Sequence, residues 1–276
     1  MSRYSIVAIA NQKGGVGKTT PAINLGAALA MAGHRTILVD LDPQGNASTG
    51  LGIDEDRRQL TVYDLLAGEE SLQDCAIPTQ IDNLHIVPAT ADLSSADVDL
   101  SQTQDRTRLL RRKLEGAPDG SIVLIDCPPA LGLLTINALV AAGEVLVPIQ
   151  CEYYALEGLS QLLGSVRMIQ KHLNPPLHVS TILLTMYDGR TRLSQQVLEE
   201  VRAHFADLIF ETTIPRATRL AEAPSYGQPA LAYDPDGLGT AAYDVLGVEL
   251  LRRLNPAEAR RDNVVDAAAL HEAAPV

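Results

Sequence analysis

Two of the chain's four lysines fall within Lys13-Gly14-Gly15-Val16-Gly17-Lys18-Thr19-Thr20. Glycines let successive backbone N–H groups converge on phosphate oxygens, and a following helix N-terminus adds a positive dipole end. In such a loop Lys18 contacts the β- and γ-phosphates, and the Thr19 hydroxyl binds Mg²⁺. Two acids have spacing suited to the same chemistry. Asp42, in Asp40-Leu41-Asp42-Pro43-Gln44-Gly45-Asn46, lies where a carboxylate can orient or deprotonate an attacking water. Asp126 precedes Cys127-Pro128-Pro129 and is placed to bind Mg²⁺ directly or through its water.

These residues need a scaffold that delivers them to one edge. Ile6–Ala10 reads as a short buried strand entering the loop, and Thr20–Met31 as the helix leaving it, with Gly33 as its stop. Thr36–Asp40 and Ser121–Asp126 read as strands that each end in an acid. Leu84–Pro88, Val145–Ile149 and Thr181–Thr185 complete the set. Continuous apolar runs of this kind fit strands covered on both faces. Helices are expected over Asn137–Ala142, Leu156–Leu173 and Leu193–Phe205. The alternation predicts a single-domain, doubly wound α/β fold with a mostly parallel sheet, a P-loop NTPase arrangement. Ligands of such sheets sit at the carboxyl ends of strands, where the loop and the acids fall. The domain is expected to span residues 1–254, with 255–276 as a loosely structured tail rich in Ala and charge.

The chain has 276 residues, a formal charge of −12, two Phe and no Trp, so the core must be aliphatic. That charge argues against a protein coated in nucleic acid by bulk attraction, while leaving room for a local basic face. Most basic residues are Arg, so local anion contacts are mostly guanidinium. Cys75, Cys127 and Cys151 are far apart, odd in number and without a C-x-x-C pair, as in reduced thiols of a cytosolic protein. The N-terminal apolar run is too short for a signal peptide, and no stretch approaches a transmembrane helix.

The loop departs from G-x-x-x-x-G-K-[ST] because Gln12 stands where the first glycine would be. Lys-Gly-Gly-Val-Gly-Lys-Thr resembles the deviant Walker A loop of the ParA/MinD superfamily. The Asp40–Asn46 and Asp126–Pro129 segments resemble its two switches. Gln150–Gly158, Thr185–Thr191 and Ile214–Pro224 are similar to Soj-type partitioning ATPases, so the resemblance covers roughly residues 5–250. It implies that Lys13 is the signature lysine, reaching phosphates bound by the other subunit of an ATP-dependent homodimer. It implies that Asp42 positions the nucleophilic water, that Asp40 helps anchor the Mg²⁺ shell, and that Met186, Pro215 and Arg216 border the adenine. Arg190 and Arg219 are the implied contacts to non-specific double-stranded DNA. A ParB/Spo0J-type centromere-binding protein is the implied stimulator of slow ATP hydrolysis, in a cytoplasmic, nucleoid-associated setting without a membrane. Pro21 stands where the family has a small residue and could alter nucleotide affinity. The P-loop strand begins by about Ile6, so the long N-terminal extension of some plasmid partition ATPases is not expected.

Plainer readings exist for each feature. Lys13 could be a surface lysine, Asp42–Gly45 simply a turn, and the arginines solvated or paired with surface acids. The run Arg106, Arg108, Arg111, Arg112, Lys113 fits a solvated helix face. A MinD-type membrane-cycling ATPase needs a bulky apolar amphipathic C-terminal helix, and Asp262–Val276 offers mainly Ala, Val and acids. A redox protein of the nitrogenase-iron-protein type needs two cysteines per subunit holding a cluster across a dimer, and neither Cys127 nor Cys151 sits in that family's setting. A nucleotide-dependent interaction module that scarcely hydrolyses differs from an ATPase only in degree.

Overall fold

The structure, a computed structural model, describes residues 4–152 and 155–254. The expected tail and Tyr153-Tyr154 lie outside the described residues. Chain order is β1 (Ser5–Ile9), α1 (Thr19–Met31), β2 (Thr36–Asp40), α2 (Asn46–Gly50), α3 (Val62–Ala67), α4 (Leu72–Cys75), β3 (Ile77–Pro78) and β4 (Leu84–Val87). Then come α5 (Ala96–Asp99), α6 (Leu109–Leu114), β5 (Ile122–Asp126), α7 (Leu133–Ala141), β6 (Glu144–Gln150), α8 (Ala155–His172) and β7 (His178–Thr185). The last elements are α9 (Arg192–Phe205), α10 (Thr218–Glu222), α11 (Ala230–Tyr233) and α12 (Leu238–Leu254).

The strands form one sheet of order β3-β4-β2-β5-β1-β6-β7. All pairings are parallel except β3 with β4. The chain starts at the centre, winds to one edge, returns beside β1 through β5 and then fills the other edge. Strand residues alternate between two cores, as a period of two dictates. Ile6 and Ala8 of β1, Ile37 and Val39 of β2, and Val123 and Ile125 of β5 face one core with α3, α6, α7, α8 and α9. Val7 and Ile9, Leu38, and Ile122 and Leu124 face the other with α1 and α12. Both faces are apolar because both are covered, which is why the strands read as unbroken runs.

Register places the chemistry. Asp40 is level with Asp126 across β2 and β5, and Ile9 is level with Asp126 across β5 and β1. The P-loop, which leaves β1, therefore opens beside both acids. Helix α1 packs on α12 where Gly247 lets Ala28 approach; a Cβ at Gly247 would lie 3.3 Å from the Ala28 methyl. Pro21 occupies the first turn of α1, where its missing N–H has no intrahelical partner to lose. Asn24 ties α1 to α11: its Oδ1 accepts from Ala230 N at 2.6 Å and its Nδ2 donates to Thr20 O at 2.9 Å.

Asn24→Ala leaves the buried Ala230 N–H without that acceptor, at a cost of about 1–3 kcal/mol. Calorimetry should show a Tm lowered by about 2–4 °C for each kcal/mol lost. An unchanged Tm would mean that the side chain does not lock α11 onto α1.

Candidate nucleotide site

The loop between β1 and α1 is held open by its neighbours. Asn11 Nδ2 donates to Pro148 O of β6 at 2.7 Å, while Asn11 Oδ1 accepts from Lys13 N at 3.0 Å. Thr185 Oγ1 donates to Val16 O at 2.7 Å, joining the end of β7 to the loop. Gly17 adopts φ +80°, a left-handed conformation suited to glycine. Nothing lies within 4 Å of where a Cβ at Gly14 or Gly15 would sit, so the turn is a free cradle. Lys18 and Thr19 open α1, which has no capping side chain, so its first N–H groups remain available to an anion.

Charge is concentrated below this cradle. Lys18, only 7 % exposed, donates from Nζ to Lys13 O at 3.4 Å. Burial lowers its pKa, and the nearby Asp126, Asp42 and Cys127 work against that. Asp126 is fully buried and neither carboxylate oxygen has a well-formed hydrogen bond. Burial raises its pKa well above the carboxylate range and Asp40 adds to this; the Thr19 hydroxyl and Lys18 pull the other way. A buried carboxylate without a partner is costly, and a cation supplied with phosphates removes that cost. Thr19 and Asp126 therefore fit Mg²⁺, and the glycine cradle with Lys18 fits the phosphates that would carry it.

Asp40 is used differently. Its Oδ2 accepts from Ser48 N at 2.8 Å and Ser48 Oγ at 2.6 Å, and its Oδ1 accepts from Asp42 N at 3.4 Å. It fastens the loop carrying Asp42 to the sheet and stands beside Asp126 rather than offering free oxygens. Burial raises its pKa to about 6 against the opposing Ser48 hydrogen bonds. Asp42 itself accepts from Gln44 N at 3.0 Å, the turn geometry its sequence suggests. The turn closes at Gly45, φ +61°, where a Cβ would lie 2.8 Å from an Arg58 guanidinium nitrogen and 3.0 Å from Ala89 O. Arg58 clamps the surroundings, donating to Ile53 O, Ala89 O and Thr49 Oγ1.

Lys13 does not join Lys18 at the cradle. Its Nζ donates to Glu152 Oε2, just past β6, at 2.8 Å. Met186, Pro215 and Arg216 do come together: with Gly17, Thr20 and Pro21 they line a cavity of about 400 Å³ beside the loop. Met186 has φ +52°, uncommon for a residue with a side chain and often found at functional sites. A bridge between Tyr187 and Pro215, with Arg216 N donating to Tyr187 O at 3.0 Å, joins the loop that carries Arg190 to the segment leading into α10, which carries Arg219. Both arginines are exposed and both are paired. Arg190 forks onto Asp188, while Arg219 meets Glu222 at 3.3 Å and the Tyr233 hydroxyl at 3.1 Å.

Sequence reasoning assigns no role to Asn11, Ser48, Arg58 or Glu152. Asn11 is adjacent to the loop in sequence, a usable signal. The other three act through partners that the sequence does not place beside them. Cys127 and Cys151 are both buried free thiols. Burial pushes both thiols up, Cys151 to about 11, which keeps them as inert thiols.

A buried strand, a glycine-rich turn and a helix, facing a second strand's terminal acid, define a P-loop nucleotide-binding protein of the α/β class. A family model described as an AAA domain matches residues 4–179. The chain is 50 % identical over 258 residues to the chromosome partitioning protein ParA of Caulobacter vibrioides, covering 92 % of this chain and 97 % of that protein. It is 52 % identical over 246 residues to the sporulation initiation inhibitor protein Soj of Bacillus subtilis, covering 89 % and 97 %. Among solved structures it resembles Mycobacterium smegmatis cobyrinic acid a,c-diamide synthase with bound ATP analogue and magnesium, at 36 % identity and a TM-score of 0.79, covering 91 % and 96 %. The chain belongs to the ParA/Soj family of chromosome-partitioning ATPases.

The raised pKa of Asp40 has a stability consequence with a definite sign. Its folded value, about 6, exceeds its ordinary 3.8, so between these values the folded protein binds more protons than the unfolded chain. The stability of the metal-free protein attributable to Asp40 therefore falls as pH rises from about 4 to about 6. Denaturant titrations across that range should show Asp40→Asn gaining on wild type as pH rises. A constant difference would mean that Asp40 titrates at its ordinary value.

Proposed function

We propose that this protein is an ATP-driven partitioning switch whose ATP-bound homodimer holds non-specific double-stranded DNA and releases it on hydrolysis. The observation that carries the reading is Asp126, fully buried and without a well-formed hydrogen bond, facing Lys18 and Thr19 at the mouth of the glycine loop. The magnesium-bound ATP analogue reported for the mycobacterial relative supports ATP and Mg²⁺ as the occupants.

In this reading the backbone of Gly14, Gly15, Val16 and Gly17 cradles the phosphates, and Lys18 contacts the β- and γ-oxygens. Thr19 and Asp126 hold the Mg²⁺ shell, with Asp40 fixing its outer side through Ser48 and the Asp42 backbone. A Mg²⁺ held there would offset the negative charge of the phosphates during γ-phosphoryl transfer. Asp42 orients the attacking water and accepts its proton. The base occupies the cavity lined by Met186, Pro215 and Arg216, with Thr20 at its phosphate end. Lys13 exchanges Glu152 for a phosphate oxygen of the facing subunit, so that ATP and the dimer stabilise each other. Both subunits then present Arg190 and Arg219, doubling the phosphate contacts to DNA. A ParB/Spo0J-type partner accelerates a slow hydrolysis, and the protein cycles between the nucleoid and the cytoplasm. Among the described residues no helix is long and apolar enough to cross a membrane. The segment on which a MinD-type reading depends lies outside the described residues.

DNA co-sedimentation at two salt concentrations, with ATP, with ADP and without nucleotide, tests the cycle. Binding should require ATP, weaken with salt and disappear in Lys13→Ala and in Arg219→Ala. No ATP-dependent binding would remove DNA from the mechanism. In parallel, Asp42→Ala should lower turnover by about 10²–10⁴-fold while ATP-dependent dimerisation persists. Unchanged turnover would take Asp42 out of catalysis.

A further inference from the structure

Arg190 is the most exposed of the paired arginines, its side chain 90 % accessible, yet one edge of its guanidinium is already engaged. Nε donates to Asp188 Oδ1 at 2.9 Å and Nη2 donates to Asp188 Oδ2 at 2.8 Å, a bidentate pair. The Arg190 backbone N–H also donates to Asp188 Oδ1 at 3.1 Å, so the carboxylate is fixed by the turn as well as by the side chain. Asp188 is itself anchored, its carbonyl accepting from Thr191 N at 3.0 Å and Thr191 Oγ1 at 3.0 Å. Its side chain is only 22 % accessible, so the turn presents the arginine outward with the acid tucked beneath it. Hydrogen bonds from the Arg190 side chain and then its backbone hold the Asp188 carboxyl down to about 2, and Arg216 lies close enough to contribute.

A carboxylate and a phosphate present paired oxygens to the same guanidinium fork. We infer that Asp188 acts as a built-in phosphate mimic on Arg190, competing with the DNA backbone and thereby setting the affinity of the DNA-bound state. The inference rests on the DNA reading proposed above and goes beyond it by assigning a role to an acid inside the basic surface. A phosphate can take the Nε/Nη2 edge only by displacing Asp188, and one that takes the Nη1/Nη2 edge meets the carboxylate alongside it. Both effects weaken binding and hasten release, in a protein whose cycle requires release. Asp188 does not touch the nucleotide; it tunes the arginine.

Asp188→Asn separates this role from the turn. The amide oxygen still accepts the Arg190 backbone N–H, while the charge that holds the fork is gone. Fluorescence anisotropy with a labelled double-stranded DNA of random sequence, over a salt series with ATP present, compares wild type, Asp188→Asn, Arg190→Ala and the double variant. Asp188→Asn should bind about two- to fivefold tighter at low salt, the range expected for freeing one exposed ion pair. Its log–log salt slope should steepen by about 0.9 for each additional phosphate neutralised. The tighter binding should vanish when Asp188→Asn is placed on Arg190→Ala. Unchanged or weaker binding by Asp188→Asn, beside ATP-dependent binding by wild type, overturns the inference and leaves the DNA reading standing. Tighter binding that persists without Arg190 overturns it too, because bulk charge then accounts for the effect. No ATP-dependent DNA binding by wild type overturns both.

Discussion

A buried carboxylate beside a buried ammonium governs the architecture around it. Asp126 sits at the end of a central strand without a well-formed hydrogen bond, and Lys18 faces it at 7 % exposure. Neither charge is comfortable: burial pushes the acid's pKa up and the lysine's down. A pair desolvated in this way is tolerated only when rigid surroundings fix it. Those surroundings are the parallel register of β2, β5 and β1, which sets Asp40 beside Asp126 and opens the glycine loop next to both. A sheet covered by helices on both faces keeps bulk water from the acids beneath the opening at the loop. The cost of burying these charges is what a cation arriving with phosphates would relieve.

The same opening is wired to three other parts of the molecule by single hydrogen-bonding side chains. Thr185 joins the loop to the end of β7, where Met186 turns through a left-handed conformation beside the cavity it lines with Pro215 and Arg216. Asn11 joins it to β6, and two residues beyond that strand Glu152 holds Lys13. On the far side Asp40 holds Ser48, and Arg58 closes the turn that carries Asp42. The glycine loop, the Met186 cavity, Lys13 and Asp42 therefore share one set of supports. A change at the phosphates has short mechanical routes to each of the others, which is what a nucleotide switch needs.

What is legible in the sequence follows the range of the forces involved. Strands buried on both faces appear as apolar runs, so the parallel strands can be assigned to within a few residues. The two-residue β3 cannot, because Ile77-Pro78 carries neither length nor alternation. The short helices α3 and α4 are absent from the sequence-based expectation, though capping boxes, Thr61 with Asp64 and Ser71 with Asp74, mark their starts. Helix α12 is absent from the sequence-based expectation, though Tyr243, Leu246, Gly247 and Leu250 form a buried stripe at helical spacing. Motif residues are legible because loop chemistry is local. Their partners are not: Glu152 lies 139 positions from Lys13 and Pro148 lies 137 from Asn11, and only the folded sheet makes them neighbours.

In the DNA reading proposed above, an acidic protein must solve an electrostatic problem twice. With a net charge of −12, long-range attraction to DNA is absent, so binding rests on a few guanidinium groups acting at contact range. Contacts of that kind are short-lived unless several act together, and an intermolecular pairing of subunits supplies the multiplicity. The surface also limits each contact in advance. Arg190 lies in the fork of Asp188, and Arg219 is shared between Glu222 and the Tyr233 hydroxyl. Each arginine arrives at the phosphates with an intramolecular competitor already in place, so its net stabilisation on binding is the difference between two similar pairings. In the proposed cycle such contacts, multiplied over a dimer, would hold DNA collectively while each stays weak, and parting of the subunits would end the binding. The acids paired with Arg190 and Arg219 would then favour release, which a switch needs in order to reset.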